Sequence, residues 1–82
     1  MALKLYIGNL SQTAREADLE NTFNNVGLVM SVAIPIDPQG KRKNYGIVNM
    51  GTEDGAKAAI QTLNGSILCS RQISVREAGP KE

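Results

Sequence analysis

The sequence contains no histidine, no tryptophan and a single cysteine, Cys69. Without a second cysteine or any histidine, the chain by itself offers neither a disulfide framework nor a zinc site with several Cys or His ligands. It also lacks the Ser/His or Cys/His pairs of nucleophilic catalysis, which excludes most hydrolase chemistry. We therefore predict no catalytic residue, no metal site and no cofactor, and we expect Cys69 to be a reduced, partly buried thiol.

Long apolar runs and a charge of one dominant sign are also missing. No run approaches the roughly 20 apolar residues of a membrane-spanning helix, and the N-terminus lacks the apolar segment of a signal peptide. We therefore expect a cytoplasmic protein without a membrane partner. Nine Lys and Arg against eight Asp and Glu give a net charge of +1, so any basic patch must be local. A chain of 82 residues has room for one core.

The hydrophobic pattern predicts the element order βαββαβ. Period-two alternation indicates strands at residues 3–8, 30–34, 45–50 and 72–76, and helical spacing indicates helices at 13–26 and 52–63. We expect residues 13–16 to form a capping box for the first helix, and Thr52 to cap the second. Residues 37–40 (DPQG) predict the tight turn of a hairpin between the second and third strands.

Two strand-helix-strand halves predict an α+β fold, a ferredoxin-like sandwich with a four-stranded antiparallel sheet and two helices on one face. The other sheet face is then open to solvent. Because side chains alternate between the faces of a strand, the open face of the first and third strands is predicted to carry Lys4, Tyr6, Tyr45, Ile47 and Asn49. On the last strand the same argument selects Gln72, Ser74 and Arg76.

Charge is segregated between the predicted layers. Residues 13–26 hold one basic and three acidic side chains, and residues 52–65 hold one basic and two acidic ones. The strands with their flanking residues, together with the loop between the second and third strands, hold six basic against two acidic side chains. Such a dipolar domain can steer a polyanion to its sheet even at a net charge near zero.

Two segments carry a family resemblance. Residues 5–10 (LYIGNL) resemble the hexameric motif on the first strand of the RNA-recognition motif (RRM) family. Residues 43–50 (KNYGIVNM) resemble in part the octameric motif on its third strand. The resemblance covers residues 3–78, and it is specific because the motifs, the element order and the spacing all agree. The chain is similar to small single-domain bacterial RRM proteins. It implies an RRM domain over residues 1–78 and a short C-terminal tail over 79–82.

The resemblance also implies roles for single residues. In this family, aromatic side chains on the open sheet face stack on unpaired bases, which makes Tyr6 a base-stacking platform and Tyr45 a second aromatic against a sugar or base. Lys43 matches a phosphate-contacting position, and Ile47 stands where the family usually has another stacking aromatic. The complete predicted RNA-binding set is Lys4, Tyr6, Lys41, Arg42, Lys43, Tyr45, Ile47, Asn49 and Arg76.

The sequence leaves three classes of function to compare. The first is a module for single-stranded RNA, with single-stranded DNA as an alternative ligand, and we expect a monomer. The second is a protein-interaction module on the same sheet face, which Ile47 and Ala33 suggest because they are small or apolar. The third, an enzyme, is disfavoured: acylphosphatases share the βαββαβ order, but this sequence offers no Gly-rich phosphate loop, no histidine and no paired carboxylates.

Overall fold

The computed structural model describes residues 3–78, and the predicted tail at 79–82 lies outside the described residues. Within residues 3–78 it contains two helices and six strands. Neither helix of this part of the chain is long and apolar enough to cross a membrane. In chain order the elements are β1 (Lys4–Gly8), α1 (Glu16–Asn24), β2 (Val29–Ala33), β3 (Gly46–Met50), α2 (Glu53–Leu63), β4 (Ile67–Leu68), β5 (Arg71–Gln72) and β6 (Ser74–Glu77).

Four of the strands form one antiparallel sheet in the order β2-β3-β1-β6. The two central strands, β1 and β3, pair from Lys4↔Asn49 to Ile7↔Gly46, and β6 pairs with the other edge of β1. The helices pack against one face of this sheet. The predicted α+β ferredoxin-like sandwich is therefore confirmed.

The core lies between the sheet and the two helices. Alternate residues of the central strands are buried, with Leu5 and Ile7 on β1 and Val48 and Met50 on β3. They pack in one cluster with buried residues of the helices, of β6 and of the loops: Leu10, Ala14, Leu19, Phe23, Ile34, Ala56, Ala59, Ile73 and Val75. Because alternate positions are taken up by the core, the remaining side chains of β1 and β3 face away from the helices.

The two helices differ in how well their starts were predicted. Thr52 caps α2 as expected, since its hydroxyl accepts a hydrogen bond from the Gly55 N–H at 3.0 Å. The capping box expected at residues 13–16 is wrong. The N-cap of α1 is Arg15, whose backbone N–H donates to Asp18 Oδ2 at 2.9 Å. Thr13 instead belongs to the preceding turn, because Ser11 Oγ accepts its N–H at 3.1 Å.

A β-bulge changes the predicted alternation of β2. The pairing register with β3 shifts between Val29 and Ser31. A bulge inserts one extra residue into the strand, so that the next residues point to the opposite faces from those that simple alternation predicts. Met30, which the simple alternation grouped with Val32 and Ile34, is consequently 67% exposed.

The turn between β2 and β3 is confirmed. Asp37 Oδ1 accepts the backbone N–H groups of Gln39 and Lys41, each at 2.9 Å. Gly40 has a φ of 86°, the left-handed conformation that glycine adopts without steric cost. The side chain of Asp37 therefore fixes the base of the loop that carries the three basic residues 41–43, called the basic loop below.

The sequence pattern missed a small second sheet, formed by β4 and β5 with the pairs Ile67↔Gln72 and Leu68↔Arg71. Its turn uses Cys69 and Ser70 at φ values of 51° and 69°, where hairpins usually place Asn or Gly. No turn signal was therefore visible in the sequence. Gln72, predicted on the last strand of the main sheet, lies in this hairpin instead.

Candidate nucleic-acid interface

One row of side chains crosses all four strands on the open face of the main sheet. The register pairs Ala33 on β2 with Ile47 on β3, Ile47 with Tyr6 on β1, and Tyr6 with Arg76 on β6. Tyr6 and Ile47 are half-buried, whereas Ala33 and Arg76 are exposed. This arrangement puts an aromatic ring at the centre of the open face, between an aliphatic and a cationic neighbour.

Tyr6 and Tyr45 form a stacked pair on this face. Their ring centroids are 5.2 Å apart and the planes differ by 14°, which is an offset-stacked geometry favourable for aromatic rings. Gly8 gives the Tyr6 ring its space, because a Cβ at Gly8 would lie 3.2 Å from the ring atom Cε1. Both tyrosines are half-buried, so part of each ring reaches solvent.

Arg76 adds a cation to the aromatic pair. The central carbon of its guanidinium lies 4.2 Å from the centroid of the Tyr6 ring, which is within the range of a cation-π interaction. Arg76 Nη1 also donates to the carbonyl oxygen of Glu77 at 3.1 Å. A flat, positively charged group therefore lies against the ring at the centre of the open face.

A second row lies next to the first. Lys4 on β1 pairs with Asn49 on β3, and Asn49 with Ser31 on β2. The Asn49 side chain donates from Nδ2 to Ser31 Oγ at 2.8 Å. This row supplies an ammonium group, an amide and a hydroxyl, which are the group types that contact phosphates and base edges.

The three basic residues of the basic loop differ in their exposure to solvent. Lys41 and Lys43 are exposed, and Lys43 stands two residues before Tyr45. Arg42 is half-buried, and its Nη1 donates to the carbonyl oxygen of Ala14 at 3.0 Å. The guanidinium of Arg42 therefore holds the loop to the segment before α1. On the open face the structure brings together six of the predicted residues, Lys4, Tyr6, Tyr45, Ile47, Asn49 and Arg76, with Lys41 and Lys43 on the loop.

Sequence reasoning missed a polar contact at the Gly8 end of the sheet. Arg71 Nη2 donates to Asn9 Oδ1 at 2.9 Å, and Asn9 Nδ2 donates to the carbonyl oxygen of Gln72 at 2.6 Å. Asn9 stands inside the hexameric motif and was therefore visible as a candidate. Arg71 carried no signal, because it belongs to the hairpin that the pattern did not predict.

Comparison with known sequences gives one consistent result. The family described as RNA recognition motif matches residues 5–74. A protein of Nostoc sp. strain PCC 7120 called "Putative RNA-binding protein RbpD" is 37% identical over 98% of this chain and 86% of its own length. The protein of the same organism called "Putative RNA-binding protein RbpF" is 35% identical over 98% of this chain and 77% of its own length.

Solved structures agree with the sequences. The crystal structure of RNA binding protein PG1 is 33% identical and superposes with a TM-score of 0.87 over 92% of both chains. The Sxl-lethal protein in a protein/RNA complex is 29% identical, with a TM-score of 0.86 over 93% of this chain and 47% of that one. The similarity covers the whole fold on which the stacked tyrosines lie.

Proposed function

This chain belongs to the RNA recognition motif family and binds RNA through its open sheet face; we propose that the RNA is single-stranded and that its bases stack on Tyr6 and Tyr45. The observation that carries the proposal is the stacked pair, with ring centroids 5.2 Å apart and Arg76 beside it. Stacking of a base on an aromatic ring contributes roughly 1 to 3 kcal/mol.

The preference for a single strand follows from the shape of the face. An aromatic ring can receive only a base whose π-face is free, and the bases of a duplex already stack on one another. A duplex of RNA also has a deep and narrow major groove that side chains cannot enter. The half-buried rings of Tyr6 and Tyr45 on an open sheet therefore suit unpaired nucleotides.

The basic residues around the face suit the backbone of such a strand. Lys4 lies in the row next to Tyr6, and the exposed Lys43 lies two residues before Tyr45. Contacts to phosphates supply affinity and position without reading sequence. We therefore assign the two lysines to the backbone, and Asn49 to hydrogen bonds with base edges.

Ile47 lowers the affinity that this face can reach. It pairs directly with Tyr6 in the central row, where members of the family usually have a second stacking aromatic. A branched aliphatic side chain packs against a base edge or sugar but offers no π-face.

The neighbouring pair Ala33↔Ile47 favours a second candidate function, in which the same face binds a protein. Location in the cytoplasm and a monomeric state stay predictions from the sequence.

The test is an amide NMR titration of the labelled protein with a short randomised single-stranded RNA, beside the same concentrations of duplex RNA and single-stranded DNA. We expect shifts at Tyr6, Tyr45, Ile47 and the loop at 41–43 with single-stranded RNA. Tyr6→Ala should weaken binding by about 1 to 3 kcal/mol, whereas Gln61→Ala on the exposed surface of α2 should not. A sheet without shifts at high micromolar RNA would contradict the proposal and favour a protein ligand.

A further inference from the structure

A polar cluster closes the end of the sheet at which β1 finishes. Its members are the Asn9 side chain, the Arg71 guanidinium on β5, and the carbonyl oxygen of Gln72. Asn9 directly follows Gly8, which pairs with Ser74 on β6. The cluster is therefore adjacent to the open face but lies outside the rows that carry Tyr6 and Lys4.

The two hydrogen bonds orient the Asn9 amide in only one way. A guanidinium can only donate and a carbonyl oxygen can only accept, so Oδ1 must face Arg71 and Nδ2 must face Gln72. Asn9 has a φ of 60°, a conformation that asparagine tolerates better than most residues. The backbone and the amide together hold the guanidinium of Arg71 at a fixed place.

The charge of Arg71 is left unbalanced at this place. Arg71 is exposed, and within residues 3–78 its guanidinium makes the bond to Asn9 and no ion pair with a carboxylate. The carboxylate of Asp18, which lies 3.8 Å from Cys69 Sγ in the β4-β5 turn, is engaged by the Arg15 N–H at 2.9 Å. A guanidinium has five N–H donors, so most of the donors of Arg71 remain for a ligand.

We propose that Arg71, held by Asn9, is a phosphate-binding subsite that fixes the RNA backbone at the Gly8 end of the sheet. This inference rests on the proposed function, because it assigns the path of the same RNA. A guanidinium matches two phosphate oxygens with parallel N–H donors. Asn9 stands three residues beyond Tyr6, about 10 Å along an extended strand. The backbone next to a base stacked on Tyr6 is therefore close enough to reach Arg71.

The test measures how RNA affinity depends on salt, since each phosphate contact on a single strand contributes about −0.7 to the log-log slope. Arg71→Gln should weaken binding on the order of tenfold and make the slope shallower by about 0.7. Arg15→Gln is the matched control, because it removes the same charge from an exposed residue of the helical layer. It should leave both affinity and slope nearly unchanged.

Two variants separate charge from position. Arg71→Lys keeps the charge but loses the two parallel N–H donors, so the salt slope should stay the same while the RNA affinity falls. Asn9→Asp places a carboxylate beside Arg71, so the slope should become shallower, as in Arg71→Gln. Amide spectra of each free variant, compared with the unaltered protein, show that the fold is kept.

The outcomes distinguish this subsite from the proposed function. If Arg71→Gln behaves like Arg15→Gln while Tyr6→Ala still weakens binding, the subsite is wrong and RNA binding on the sheet stands. If Tyr6→Ala has no effect while Arg71→Gln flattens the slope, base stacking is wrong and the phosphate subsite stands. A third outcome is that Arg71→Gln disrupts the fold, whereas Arg71→Lys keeps both the fold and the RNA affinity. Arg71 would then act on stability alone, and the subsite would be wrong.

Discussion

The ring of Tyr45 stacks on the ring of Tyr6 at a centroid distance of 5.2 Å and an angle of 14°, although Tyr45 stands just before β3 and Tyr6 in the middle of β1. The two strands are held in register by their backbone pairing. The aromatic pair is therefore assembled before any ligand arrives. Removing one ring changes the surroundings of the other, and the two should act on RNA together.

The first prediction concerns this coupling. Tyr6→Leu and Tyr45→Leu should each weaken RNA binding, but the double variant should lose less than the two losses added together, because the second ring loses its stacked neighbour. We expect a coupling free energy of about 0.5 to 1.5 kcal/mol, typical of aromatic pairs. Isothermal titration of the four proteins measures it. Strictly additive losses would mean that each ring holds its base independently.

The second prediction concerns Ile47. Ile47→Phe should place a π-face next to Tyr6 in the central row and tighten binding to single-stranded RNA by about 1 kcal/mol. Ile47→Leu is the matched control, because it keeps an aliphatic side chain of the same size and should leave affinity unchanged. Fluorescence anisotropy with a labelled RNA measures both. If Ile47→Phe both weakens RNA binding and abolishes the binding of a protein partner to this face, the face is a protein-binding surface.

The third prediction separates two neighbouring cations of the loop. Lys43→Gln should lower RNA affinity and make the salt slope shallower by about 0.7, while thermal stability stays the same, because Lys43 is exposed. Arg42→Gln should instead lower the unfolding temperature, since it removes the hydrogen bond to the Ala14 carbonyl oxygen. A bond from a charged donor contributes about 1.5 to 3 kcal/mol. Equal effects of both variants on RNA affinity and stability would contradict this division of roles.

The main sheet and the open face could be predicted because the buried residues of β1 and β3 alternate without interruption. Leu5, Ile7, Val48 and Met50 are all fully buried or nearly so, and this fixes Tyr6 and its neighbours on the other face. The same reasoning failed at Met30, where the bulge in β2 reverses the alternation. A bulge depends on how two strands pair, and the pattern within one strand does not show it.

The end of the sheet near Gly8 was predicted least well, for a related reason. The β4-β5 hairpin has only two residues in each strand, too few for a period to be recognised. Its turn contains Cys69 and Ser70 at positive φ instead of the usual glycine or asparagine. The contact between Arg71 and Asn9 depends on this hairpin, so neither residue type nor spacing could have indicated it.

The last prediction tests whether the position of the Tyr6 ring matters for RNA binding, or only its presence. A Cβ at Gly8 would lie 2.6 Å from Ser74 Oγ and 3.2 Å from Tyr6 Cε1. The Ser74 hydroxyl can rotate away because Ser74 is exposed, but the Tyr6 ring must tilt, and it stacks on Tyr45. Gly8→Ala should therefore disturb the aromatic pair while every side chain that we propose to contact RNA is still present.

The measurement uses a Ser74→Ala background, which removes the closer of the two contacts and leaves the contact with Tyr6. Ser74→Ala alone is the control and should bind RNA nearly as the unaltered protein does. Adding Gly8→Ala should shift the ring-proton resonances of Tyr6 and Tyr45 and weaken binding by about 1 kcal/mol, the low end of a stacking contribution. Shifted ring resonances with unchanged affinity would show that the pair adapts to a base whatever its starting geometry. In that case the stacking seen in the free protein would contribute no preorganisation to RNA binding.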